Sequence, residues 1–156
     1  SRRRAAASKS SSDSIMRSAR GSVLTGRASL KGRGMVVCGQ AEGKNLDELS
    51  TLGENRVAEF YHERGFATSV LTLENFPLQP ATLADLHGGD KLVNAEIIRR
   101  ILRGEERGPK RDAVLLNTGA ALFVAGKTKS LAEGWELAGE TIDSGKAKAK
   151  LAELAG

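Results

Sequence analysis

Apolar and polar positions change their period several times along the chain. The run Met35-Val36-Val37-Cys38-Gly39 is short, apolar and bounded by glycines, and it predicts a strand buried on both faces, as in a parallel sheet. Order is expected to begin near Gly34. The polar stretch Gly43-Lys44-Asn45-Leu46-Asp47-Glu48-Leu49-Ser50 then predicts a loop, and Leu52-Gly53-Glu54-Asn55 carries a turn signal. Arg56–Tyr61 has moderate strand character. His62-Glu63-Arg64-Gly65 suits a hairpin connection, and Ala67–Leu73, rich in β-branched residues, reads as the returning strand.

From residue 74 the period changes. Pro77 and Pro80 predict an extended surface connection that ends at Gly88-Gly89. Asp90 is placed to cap a helix through about Arg103, with Asn94, Ile97, Ile98, Ile101 and Leu102 inward and Glu96, Arg99, Arg100 and Arg103 in water. Gly104 stops it. Asp112 is the expected N-cap of a helix over Ala113–Ala125 that is apolar on nearly every face, as a core helix is. Asn117 interrupts that surface, and a structural hydrogen bond is expected for its amide. Ser130-Leu131-Ala132-Glu133 is a capping box opening a helix through Trp135, Leu137, Ala138 and Ile142. Ser144-Gly145 breaks it, and Lys146–Leu154 predicts a last helix with Ala147, Leu151 and Leu154 buried.

The expected fold is therefore α/β: a partial parallel sheet with a small antiparallel hairpin and C-terminal packing helices. A length of 156 residues suffices for one domain with a core, and an aromatic content of 4% makes that core mainly aliphatic. No apolar run approaches the roughly 20 residues that span a bilayer. The single cysteine, Cys38, excludes an internal disulfide and suits a reducing, cytoplasmic setting.

Charge divides the chain in two. Residues 1–33 carry nine Lys/Arg against one Asp, while the rest carries 15 against 18 Asp/Glu. The arm is thus +8, the body −3, and the high pI belongs to the arm alone. Rich in Ser and Arg, the arm has little to bury and is expected to be disordered or a non-native edge. A phosphate-binding arm and a transit peptide are the sharper readings of the same composition.

Candidate chemistry is sparse. Asp47 and Glu48 are adjacent carboxylates in a loop beyond a buried strand, where ligands gather in open α/β sheets, and hard oxygen donors suit Mg²⁺. Such a pair is more often simply solvated. Gly126-Lys127-Thr128 resembles the tail of a phosphate loop, but the motif's first glycine is Ala121 here and the segment follows a helix. Gly32-Arg33-Gly34 lacks the third glycine of a dinucleotide fingerprint, since residue 37 is Val. His62 and His87 stand in separate predicted loops with no ligand spacing. Cys38 and Trp135 are read as packing residues, Trp135 in the core or an interface.

Several motifs taken in order are more specific. Val36-Val37-Cys38-Gly39, Leu46-Asp47-Glu48-Leu49-Ser50, Gly88-Gly89-Asp90 with Asn94-Ala95, Asp112–Asn117, Val124-Ala125-Gly126, Ser130–Gly134 and Ile142–Ala147 follow one another over about 120 residues. This body resembles the C-terminal α/β portion of the anthranilate phosphoribosyltransferase family, within the nucleoside phosphorylase/phosphoribosyltransferase group. The resemblance implies transfer of phosphoribose from phosphoribosyl pyrophosphate (PRPP) to anthranilate, with release of pyrophosphate, in tryptophan biosynthesis. It implies Mg²⁺ as cofactor, Asp47 and Glu48 as its ligands, and a homodimer formed by a helical domain.

That family's glycine-rich PRPP loop, its Lys-His-Gly-Asn-type motif and its anthranilate-contacting arginine find no match in residues 1–33, nor does the helical domain. The chain is accordingly expected to be incomplete and inactive alone, with its catalytic residues unassigned. Two other functions compete: a nucleic-acid-binding, non-enzymatic relative using the basic arm, and a pyrimidine-nucleoside phosphorylase-like enzyme.

Overall fold

The computed structural model describes residues 33–61 and 65–155. The basic arm up to residue 32 and His62 lie outside the described residues. Four strands come first: β1 (Arg33–Ala41), β2 (Lys44–Leu46), β3 (Asn55–Tyr61) and β4 (Gly65–Leu71). They form one sheet in the order β2-β1-β3-β4. The α/β class, the hairpin and the packing helices are as expected, but the strand direction is not. Every pairing among the described strands is antiparallel.

The reason lies in two residues. Glu42 and Gly43 both have positive φ, 49° and 77°, and connect Ala41 to Lys44, which face each other across the ladder. A two-residue turn with both centres left-handed matches the twist of antiparallel strands and reverses the chain at once. The stretch expected to be all loop thus contains a short return strand. β3 pairs on the other side of β1, with Val37 opposite Val57 and Gly39 opposite Asn55. Val57 and Ala58, neighbours pointing to opposite faces, are both buried, so the central strand is covered on both sides. β1 is only half-buried from Met35 to Cys38.

The helices follow: α1 (Leu83–Leu86), α2 (Lys91–Leu102), α3 (Pro109–Val124), α4 (Leu131–Asp143) and α5 (Lys146–Ala155). Asp90 caps α2 as expected, accepting from the amides of Leu92 and Val93. Ile101 reaches the core, whereas Ile98 is exposed and the amide of Asn94 turns back to both backbone groups of Gly89. α3 starts three residues earlier than its predicted cap. Gly108 is the N-cap and Pro109 takes the first helical position, where its fixed φ and missing N–H cost nothing. Asp112, freed from capping, is buried in the first turn and accepts the amide of Gln79, tying the connection after β4 to the helix.

Gly126 closes α3 with φ 69°. Its N–H donates to Phe123 O and that of Lys127 to Leu122 O, the paired bonds of a Schellman end. Gly126-Lys127-Thr128 therefore stands at the carbonyl end of a helix and offers no amide cradle for phosphate. Gly34 lies within β1, which disposes of the dinucleotide fingerprint as well. Ser130 caps α4 through the amide of Glu133. In α5, Ala147 is partly buried while Leu151 and Leu154 are exposed, against expectation.

α3 and α4 cross at two glycines. A Cβ at Gly134 would lie 2.4 Å from Gly119 O, so neither position has room for a side chain. Leu116, Ala120, Trp135, Ala138 and Ile142 form the core there, with Leu49 and Val57 arriving from the sheet side. Trp135 is buried, as expected, and meets Phe76 edge-on at 5.6 Å. Arg33 braces the far end of α3, donating to Phe123 O at 3.0 Å with its guanidinium 4.0 Å from the Phe123 ring centre. A cation suits the negative end of a helix.

Candidate active site

The acidic residues leave β2 in a bend. Asp47 and Glu48 are both exposed, and the next two residues, Leu49 and Ser50, are each 1% exposed. The chain therefore dives from a surface bearing two carboxylates directly into the core. The pair lies beyond the return strand and not at the end of β1, where a simple strand-then-loop reading puts it.

The backbone beneath the pair is held at three consecutive residues. Gly39 N donates to Glu48 O at 2.9 Å. Leu49 is gripped at both polar groups by Asn117 of α3: its N–H donates to Asn117 Oδ1 and its carbonyl accepts from Nδ2, each at 2.9 Å. Ser50 is gripped the same way by Asn55, the first residue of β3, whose Oδ1 accepts the Ser50 amide at 2.6 Å and whose Nδ2 donates to Ser50 O at 2.9 Å. Asn55 is completely buried. Its Nδ2 also reaches Gly53 O at 3.2 Å, and Ser50 Oγ accepts the Leu52 amide, so the descent to β3 is closed by its own polar atoms.

Gly39 makes the approach possible. A Cβ there would sit 2.5 Å from Ser50 N and 2.6 Å from Glu48 O, both backbone atoms that cannot swing aside. The expected structural bond of Asn117 is thus present, and it lands on the residue after Glu48. Sequence reasoning misses Asn55 and Gly39. Their only signals are a turn-like Gly-Glu-Asn and a glycine ending an apolar run.

Among the described residues no group of three or more His, Cys, Asp or Glu side chains is arranged to hold a metal. Two neighbouring carboxylates nevertheless fit the way Mg²⁺ binds, through one or two acids with water and substrate phosphate filling the other positions. The donors are hard oxygens, exposed, and they precede a backbone that is held from Glu48 O onward. A cleft of about 420 Å³ opens beside the descending part of the loop, lined by Thr51, Gly53, Glu54 and the end of β4. Asp47 and Glu48 do not line it. His87 is exposed at the end of α1, and Cys38 is half-buried in β1 with its thiol toward Gly39 O at 3.9 Å.

Residues 23–148 match the family described as "Glycosyl transferase family, a/b domain". The chain belongs to this family. The match starts ten residues ahead of β1 and ends in α5, so it takes in the whole sheet, the acidic bend and both clamping asparagines.

Similarity to individual members of the glycosyl transferase family is high over this span. Anthranilate phosphoribosyltransferase of Citrifermentans bemidjiense is 50% identical over 109 residues, which are 70% of this chain and 30% of that protein. The enzyme of the same name from Caulobacter vibrioides is 49% identical over 112 residues, covering 72% and 32% respectively. The crystal structure of anthranilate phosphoribosyltransferase from Thermus thermophilus superimposes with a TM-score of 0.64 at 45% identity, over 78% of this chain and 34% of that one. The chain spans about a third of the length of the relatives it matches.

Proposed function

We propose that this glycosyl transferase domain carries the metal-binding part of an anthranilate phosphoribosyltransferase, acting on PRPP and anthranilate. The observation that carries the proposal is the 45–50% identity to proteins of that name, over a span that includes the acidic bend and its supports. The same relatives favour it over a nucleoside phosphorylase or a nucleic-acid-binding protein.

In this reaction the bond from C1 of the ribose to pyrophosphate breaks, positive charge grows on the sugar, and negative charge grows on the leaving group. Magnesium, when bound, offsets that negative charge as it forms. The residues of this chain supply the rest. Asp47 and Glu48 are the ligands, and being exposed they can take the metal together with a phosphorylated substrate. Glu48 O on Gly39 and Leu49 on Asn117 hold the backbone from which the acid pair departs. A held backbone limits the reorganisation needed when the charge develops. The cytoplasmic setting expected from cysteine usage belongs to the same proposal.

PRPP titrated into the chain with and without Mg²⁺ tests it. Binding is expected to require the metal and to weaken in Asp47→Asn. Metal-independent binding of phosphate and a nucleoside would contradict the proposal. Because the chain spans a third of its relatives, it is expected by itself to consume little anthranilate, read as loss of anthranilate fluorescence.

A further inference from the structure

We infer that Asn117 is a positioning residue for the acidic bend, coupling the helical layer to the geometry of Asp47 and Glu48. The inference rests on the metal-binding reading of those two residues and goes beyond it.

The side-chain amide of Asn117 is committed to three hydrogen bonds. Its Oδ1 accepts the Leu49 amide, and its Nδ2 divides between Leu49 O and Ala113 O, at 2.9, 2.9 and 3.0 Å. The bond to Ala113 is to its own helix, one turn back, and it locks the rotamer from which the other two are made. A side-chain amide has two N–H donors and an oxygen with two lone pairs, so both donors and one acceptor site of Asn117 are taken.

Two of those bonds fall on the residue that follows the acid pair. Leu49 is already held by burial at 1% exposure within the core. An apolar side chain at 117 would extend the same core but leave the N–H and carbonyl of Leu49 unpaired. A bidentate clamp on the residue immediately after Glu48 adds something burial does not: it fixes the rotation of the peptide from which the carboxylate-bearing segment departs. The bond from Gly39 N to Glu48 O holds the carbonyl of that same peptide, since Glu48 O and the Leu49 N–H share one planar unit.

The two asparagines differ in what they hold. Asn55 grips Ser50 from within the sheet, is wholly buried, and closes the path into β3, so its loss dismantles the strand entry. Asn117 reaches across from a different layer and is only half-buried. Its helix is set against α4 by the contact of Gly119, two residues on, with Gly134. The position of the acidic bend is thereby referred to the helical layer. Groups that orient metal ligands from behind typically change metal affinity by about 10- to 100-fold when removed.

The test uses Mn²⁺ as the probe, with pyrophosphate present, and measures affinity by equilibrium dialysis at a temperature where every variant is folded. Asn117→Ala and Asn117→Leu are expected to bind Mn²⁺ about 10- to 100-fold more weakly than the unaltered chain. Leu in place of Asn raises helix propensity and fills the site but, like Ala, leaves Leu49 unpaired, so the fold of each variant is confirmed by circular dichroism before its affinity is read. Ile142→Val, a core change remote from the bend, is expected to lower stability and leave Mn²⁺ affinity alone. A second readout needs no variant: metal loading with diamagnetic Mg²⁺ should slow hydrogen exchange at the Leu49 amide several-fold, since coupling between sites is reciprocal. Unchanged affinity in both Asn117 variants, an equal loss in Ile142→Val, or Leu49 exchange indifferent to Mg²⁺ would overturn the inference while the metal site stands. Absence of Mn²⁺ binding in the unaltered chain would overturn both.

Discussion

Replacing Gly39 by alanine is the sharpest perturbation of the frame. The added Cβ would meet Ser50 N at 2.5 Å, Glu48 O at 2.6 Å and Ser50 Cβ at 2.7 Å. Two of these are backbone atoms, so relief requires moving the whole bend off β1. Forcing one extra carbon into a packed region costs about 1–3 kcal/mol. Moving the bend also breaks the bond from Gly39 N to Glu48 O, for about 1 kcal/mol more. The sum is about 2–4 kcal/mol. With a urea m-value of about 1.5 kcal/mol/M, the unfolding midpoint should fall by about 1–3 M.

Gly43→Ala is the control, because its Cβ would meet nothing within 4 Å and only its positive φ of 77° opposes the change. That costs about 1 kcal/mol. The assay is urea unfolding followed by Trp135 fluorescence. If Gly39→Ala unfolds within about 0.3 M of the unaltered chain, or if Gly43→Ala costs more, the close approach of bend and strand is not what holds the loop.

Three further expectations concern the rest of the molecule. Asn55→Ala leaves both polar groups of buried Ser50 unpaired, and at about 1–3 kcal/mol for each it should cost about 2–6 kcal/mol in chemical denaturation. Trp135→Ala removes the largest core side chain and its edge contact with Phe76, and calorimetry should show a loss of about 3–5 kcal/mol. Asp85 is held below the ordinary aspartate range, first by the Thr82 backbone N–H, then by the Thr82 hydroxyl, with the charge of Lys110 assisting and burial opposing. A depressed carboxylate contributes stability above its unfolded-state pKa and loses it as pH falls through the folded value. In an NMR titration the Asp85 carboxyl should therefore titrate below the usual range and move toward it in Thr82→Val.

Much of this arrangement is legible in the residues, and the exceptions have physical causes. Asp90, Ser130, Gly104, Gly126 and Gly145 mark helix ends because capping and left-handed backbone are local chemistry, readable one residue at a time. The hairpin of β3 and β4 is legible because both strands are continuous and their connection is short. Strand direction is not, because it turns on Glu42 adopting a positive φ that a glutamate does not advertise. Exposure of Ile98, Leu151 and Leu154 is equally hidden, since helical spacing defines a face without saying what lies opposite it. At the site, the acid pair and Asn117 stand out in the sequence as residues. Their relation does not, because 68 positions separate Asn117 from Leu49 and only the packing of helix on sheet brings them together.

Electron paramagnetic resonance of Mn²⁺ with pyrophosphate tests the central claim most directly. The unaltered chain should bind the ion and quench its free-ion signal, and the double variant Asp47→Asn, Glu48→Gln should leave that signal at the level of a protein-free pyrophosphate control. Equal quenching by the two proteins, with both folded, would contradict the account, because the metal would then be held somewhere other than the acidic bend.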